Sequence, residues 1–229
     1  MTATSLRARV RAEMTEEIKA AARRHLAVDG ANLSLRAVAR ELGMVSSALY
    51  RYFASRDDLL TALIIDAYNA LGDAVDEADA AVADRGNLRG RFFAVCHAVR
   101  DWALANPHEY ALVYGSPVPG YRAPQDTVGP ASRPTLVLTA ILRDGAARGT
   151  IPGWADDTVP EPVHSDLSRL VDQALPGVPV ELLSRGMAAW IQLFGIVNFE
   201  LFGRFTNVIE EQAAFFDHQM RRMAELIGI

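Results

Sequence analysis

The sequence predicts an all-α chain in two parts: an N-terminal three-helix domain of residues 1–56 and a larger helical domain of residues 57–229. Three observations predict it. Apolar residues recur at helical spacing almost without interruption, strand-like alternation is lacking, and Gly, Pro or Asn closes each periodic run. With 229 residues, half of them hydrophobic and 22% charged, the chain can bury a core and is not a disordered tail.

From about residue 12, Met14, Ile18, Ala22 and Leu26 repeat at helical spacing and stop at Asp29-Gly30. Ser34 is placed as an N-cap ahead of Leu35, Val38, Ala39 and Leu42, the stripe of a short amphipathic helix. Gly43 ends it, since glycine takes a left-handed turn without strain, and a second short helix turns Leu49 and Phe53 inward. Ser55-Arg-Asp-Asp58 opens a long helix carrying Leu59, Leu60, Leu63, Ile64 and Leu71 in the manner of a capping box. Further on, Asn87 caps a helix with Phe92, Phe93, Cys96, Val99 and Ala103 that stops at Asn106-Pro107. A short helix bears Tyr110 and Tyr114. Residues 115–134 and 151–162 read as loops on either side of a helix from Thr135 to about Arg148. A helix from Pro179 to about Phe205 follows, and Asn207 caps a last one with Phe215, Phe216, Met220, Met223, Leu226 and Ile227.

The net charge of −5 conceals an asymmetry. Residues 1–56 hold ten of the 23 basic side chains and five acidic ones, whereas residues 57–229 carry 13 basic and 23 acidic. A basic head on an acidic body suggests that the head meets a polyanion. Other classes lack their signatures. No stretch reaches the ~18 apolar residues of a membrane span, and MTATSLRARV has no apolar signal region, so a cytoplasmic protein without a membrane partner is expected. A single cysteine, Cys96, allows no internal disulfide, and no Cys/His spacing suits zinc. Gly115-Ser116 lacks the frame of a nucleophile elbow, His108-Glu109 lacks the second histidine of a zinc helix, and no phosphate-binding glycine loop is present. The expectation is therefore no catalytic residues, no metal and no cofactor.

Two helices of about eight residues joined by a glycine turn have the sequence form of a helix-turn-helix. The run from Ser34 to Leu60, with Val38-Ala39, Leu42-Gly43, Leu49-Tyr50, Phe53, Ser55-Arg56-Asp57 and Leu59-Leu60 in place, closely resembles the DNA-binding signature of the tetracycline-repressor (TetR) family. With Leu49 and Phe53 facing the core, Ser46, Ser47, Tyr50 and Arg51 lie on the outward side of a helix sized for a major groove. The resemblance implies that Tyr50 meets a phosphate or a thymine methyl and that Arg36 reaches a base edge, where its guanidinium matches guanine bidentately. Tyr52 and Arg56 stand where relatives often carry histidine and lysine, and both suit phosphate positioning. Val45 replaces the frequent Ser/Thr cap, leaving Ser46 to take over that cap. Arg7, Arg9 and Arg11 form either a minor-groove arm or a solvated basic tail.

Between Met187 and Phe202 only Gln192, Asn198 and Glu200 are polar, so nearly every side of that helix favours burial. A twofold copy of the chain is the economical cover, with Leu201, Phe202, Phe216 and Met220 at the interface; the resemblance likewise implies a four-helix homodimer interface. Trp190, Phe194 and Gly195 resemble a subclass with Trp, His and Gly along this helix, with phenylalanine at the histidine position. Phe93, His97, Trp102, Tyr110, Tyr114, Trp190, Phe194 and Asn198 form an aromatic set suited to an apolar or aromatic effector. The predicted protein is a dimeric, ligand-responsive transcriptional regulator, most simply a repressor, of a palindromic double-stranded DNA operator. The alternatives are a helical ligand-binding or stress-response enzyme and an architectural DNA binder without ligand.

Overall fold

The computed structural model describes residues 3–29, 33–151 and 158–229. Its elements are α1 (Ala3–Asp29), α2 (Leu35–Glu41), α3 (Ser46–Leu49), α4 (Arg56–Ala81), α5 (Leu88–Ala105), α6 (Pro107–Tyr114), α7 (Val128–Arg148), α8 (Glu161–Ala174), α9 (Val180–Leu201) and α10 (Gln212–Ile227). No strand occurs among the described residues. The helices assemble into two compact units, one of Met1–Asn69 with Asn106–Ala131, the other of Ala70–Ala105 with Ser132–Ile229.

In the first unit, local signals set the helix ends. The Ser34 hydroxyl accepts a hydrogen bond from the Ala37 amide at 3.4 Å, and the Ser55 hydroxyl accepts one from the Asp58 amide at 3.0 Å. Gly43 adopts φ +64°, the left-handed turn that separates α2 from α3. Helices of seven and four residues are too short to persist alone, so packing must hold them. Val38 and Ala39 of α2 and Leu49 of α3 are buried together with Ile18, Leu26, Phe53, Leu59 and Leu60. Val118 joins this core, and Leu112 and Tyr121 pack against it, which draws the segment around α6 into the unit. The Tyr121 and Thr61 hydroxyls share a hydrogen bond of 2.9 Å.

In the second unit, Phe92, Val95, Cys96 and Val99 of α5, Leu193, Phe194 and Val197 of α9, and Phe216, Met220 and Ala224 of α10 are buried. Arg91 is only 1% exposed. It is held by Asp79 and Asp144, each at 2.7 Å, so that α4, α5 and α7 are tied at one point. Burial works against the Asp79 carboxylate, but hydrogen bonds from Arg91 and Arg85 outweigh it and hold its pKa below the usual range. Arg100 and Glu200 form a second pair between α5 and α9.

The structure corrects several expectations. α1 begins at Ala3 rather than near residue 12, because Leu6 and Val10 extend the stripe of Met14 and Ile18 at four-residue spacing, arginine is a good helix former, and Arg9 pairs with Glu13 one turn on. α7 begins at Val128 and contains Pro134. Pro130 lies in its first turn, where an amide has no intrahelical partner, so only Pro134 costs a hydrogen bond. α8 opens inside the stretch expected to be loop, with Pro162 in its first turn. α9 ends at Leu201, and Asn207 (φ +62°) sits in a turn rather than capping α10, whose cap position is Glu211. By length and composition α9 alone among the described residues could cross a membrane. Leu182, Leu183, Leu193 and Val197 instead place its buried side in the core.

Candidate DNA-binding surface and ligand cavity

Most of the residues singled out on and around the two short helices are accessible. Arg36, Ser47, Tyr50 and Arg51 are exposed, Val45 is 70% exposed, and Ser46 is partly exposed. Val45 occupies the cap position of α3 without a side-chain hydrogen bond, and Ser46 is the first helical residue; the expected transfer of the cap to Ser46 does not occur. Tyr52 is half-buried beneath the Arg11 guanidinium, which lies 5.1 Å from its ring centre. Arg56 is turned back into the fold: its Nε donates to the Leu33 carbonyl at 3.1 Å, and its Nη1 lies 3.4 Å from Asp57.

Ion pairing divides the ten basic residues of the head. Arg9 pairs with Glu13, Arg24 with Glu41 at 2.6 Å, Arg56 with Asp57, and Lys19 and Arg23 both reach Asp66 of α4 at 2.8 and 2.6 Å. Burial disfavours the Lys19 ammonium, yet hydrogen bonds to Asp66 and Glu16 outweigh it and raise its pKa. Arg7, Arg11, Arg36, Arg40 and Arg51 have no acidic partner among the described residues. These five carry the uncompensated charge. Periodicity flagged Arg36 and Arg51 through their place on the short helices but overlooked Arg40, whose signal was its exposed position in the last turn of α2.

The eight aromatic and polar residues predicted to line an effector site are divided between the two units. Tyr110 and Tyr114 belong to the first unit, where their rings lie 5.1 Å apart and Tyr68 meets Tyr114 edge-on at 5.9 Å. Burial pushes both phenols up, so they stay neutral. In the second unit the Trp190 and Phe194 rings meet at a tilt with centres 4.3 Å apart, and the Asn198 amide donates back to the Phe194 carbonyl at 2.7 Å. His97 lies 3.2 Å from Asp217 and against Phe216, while Phe93 lies under Arg89. Trp102 is half-buried on α5.

The second unit contains a cavity of about 340 Å³ elsewhere, between α7, α8 and α9. Leu136, Leu138, Leu142, Leu170, Leu175, Leu183, Met187 and Trp190 wall it, Ser132, Thr135 and Thr139 supply hydroxyls, and no charged side chain among the described residues lines it. Trp190 is the one predicted residue among them. Leucines carried the missed signal, since their spacing on α7 and α8 reads as ordinary core. Among the described residues no group of three His, Cys, Asp or Glu side chains forms a metal site.

Of the four residues predicted for an interface, Phe202 is 46% exposed and Leu201 half-buried, whereas Phe216 and Met220 have no exposed surface and pack inside the subunit. The apolar residues that α9 leaves open are Met187, Ile191 (66% exposed) and Phe199 (53%), with Gly195 between them facing open space.

Residues 18–63 match the family described as bacterial regulatory proteins, tetR family, and residues 92–223 match the tetracyclin repressor-like, C-terminal domain. The chain is 40% identical over 223 residues to the HTH-type transcriptional regulators Rv1816 of Mycobacterium tuberculosis and Mb1846 of Mycobacterium bovis, covering 95% of this chain and 94% of each relative. Among solved structures it resembles regulatory protein SCO4313, with 35% identity, a TM-score of 0.75 and coverage of 95% of this chain and 98% of the other. The TetR family regulator PfmR of Thermus thermophilus shares the fold at 20% identity and a TM-score of 0.57 over 92% of this chain and 96% of the other. The helix-turn-helix, its uncompensated arginines and these likenesses lead to one conclusion: the chain belongs to the TetR family of bacterial transcriptional regulators.

Proposed function

We propose that the protein is a homodimeric, effector-responsive repressor that acts in the cytoplasm on a palindromic operator. The observation that carries this reading is the concentration of uncompensated charge on the helix-turn-helix: Arg36, Arg40 and Arg51 flank exposed Ser47 and Tyr50. Phosphates take up the charge and hold the register, while Arg36, Ser47 and Tyr50 meet base edges in the major groove. Two heads about one helical turn apart, ~34–36 Å, read the two half-sites. The open apolar stripe Met187, Ile191, Phe199 of α9 supports pairing with a second copy.

The leucine-walled cavity supports an uncharged, largely apolar effector held by one or two hydroxyl contacts. It acts by favouring the released conformation: a hundredfold change in DNA occupancy requires ~2.7 kcal/mol of differential affinity. Selection of bound sequences from a random duplex pool tests the whole reading. A palindromic consensus is expected. Equal recovery of all sequences would instead identify an architectural DNA binder.

A further inference from the structure

Resting on the reading of the head as a sequence-selective DNA reader, we propose that Arg7 and Arg11 of α1, with Arg51 and Tyr52, clamp a backbone phosphate flanking the half-site. Leu6, Arg7, Val10, Arg11, Arg51 and Tyr52 line an open cleft of about 610 Å³. Because residues 3–11 are helical, they form no extended arm; Arg7 and Arg11 stand one turn apart on the same face of α1. Arg9 lies off that face and is neutralised by Glu13.

Arg11 is held in place. Its Nη2 donates to the Arg51 carbonyl at 3.0 Å, and its guanidinium covers the Tyr52 ring. That carbonyl belongs to the turn that closes α3, so Arg11 fixes the end of the reading helix to α1 and brings its own charge beside Arg51. Three guanidinium groups thus share one cleft without an acidic partner among the described residues. An anion relieves their repulsion, and forked N–H donors match phosphate oxygens.

Position decides the source of the phosphate. Arg51 follows Tyr50 directly on the exposed end of the helix-turn-helix, so a strand read by α3 runs on towards the cleft. Leu6 and Val10, about half exposed at its edge, offer apolar contact to deoxyribose.

The test measures affinity of the full-length protein for its selected operator and for a scrambled duplex between about 50 and 200 mM salt, with flanks of decreasing length. Arg7→Ala is the clean variant and Arg9→Ala the control. Losing one phosphate contact per head lowers the log-log salt slope by ~1.8 for a dimer, which is about a tenfold smaller fall in affinity over that salt range. The loss is expected on both duplexes and should vanish once the flanks are trimmed away. Arg11→Ala should match it and also weaken discrimination between the duplexes, because the end of α3 loses its tie.

A wild-type salt slope in Arg7→Ala, an equal loss in Arg9→Ala, or wild-type affinity that ignores flank length overturns the clamp. So does displacement of DNA by inorganic phosphate beyond that caused by chloride at matched ionic strength, which would indicate a free-anion site. Failure of the wild-type protein to discriminate the two duplexes refutes the underlying reading instead, so the two failures are separable.

Discussion

Aspartate at position 191 tests whether α9 is the face on which two copies meet. Ile191 is 66% exposed, one turn before Gly195, whose outer side is open space, and two turns before the half-exposed Phe199. Full burial of an aliphatic side chain is worth ~1.5–3 kcal/mol, so covering the exposed two-thirds of Ile191 contributes about 1–2 kcal/mol. Twofold symmetry counts the residue twice, giving about 2–4 kcal/mol per dimer, and desolvating two carboxylates adds to the loss. The dissociation constant of Ile191→Asp should therefore rise by roughly 30-fold to nearly 1000-fold. Sedimentation equilibrium over a range of concentrations measures this directly, and circular dichroism should show unchanged helix content, because the side chain is exposed in the single subunit. Operator affinity should fall in parallel, since one head no longer delivers the other. Unaltered self-association together with unaltered operator binding would refute the argument. Phe216→Ala makes the contrast: fully buried within the subunit, it should cost ~3–5 kcal/mol of folding stability rather than act on association.

Three further outcomes follow from other parts of the molecule. Arg36→Ala should cost ~1–3 kcal/mol and relax preference at one base position, read from binding to single-base operator variants; an equal loss on every variant makes Arg36 a phosphate contact. Asp79→Asn should destabilise the protein by ~3–5 kcal/mol by leaving the buried Arg91 with one fewer counter-charge. The folded Asp79 carboxyl titrates below its unfolded range, so its stabilisation is complete above the unfolded pKa and is lost as pH falls through the folded one. The melting-temperature gap between wild type and variant should close on acidification, and a gap that ignores pH would refute the ion-pair account. A Cβ at Gly186 would clash with Leu142 Cδ1, so Gly186→Ala should drive that side chain into the cavity. Uptake of an uncharged apolar dye such as Nile red should drop while operator affinity without effector stays unchanged; undiminished uptake would place the ligand elsewhere.

Signals that act within one helical turn could be read directly from the sequence. Ser34, Gly43, Ser55 and Asn87 each mark a helix end through a bond or dihedral made by their own neighbours, and the structure contains all four. The helix-turn-helix and the all-α class followed from these marks and from apolar spacing. Spacing states that a face is buried but not what covers it, and the tertiary structure decided the rest. Aromatics of suitable spacing on α5, α6 and α9 were divided between two units, while leucines of α7, α8 and α9 enclosed the cavity. Val118, Leu112 and Tyr121 drew the segment around α6 to the core of the head, a choice made by surface complementarity between residues some sixty positions apart. Charge count showed that the head was basic. Only folding decided which arginines went uncompensated, because Asp66 and Glu41 neutralise cations that lie three helices and one helix away in the chain and leave Arg7, Arg11, Arg36, Arg40 and Arg51 without an acidic partner among the described residues.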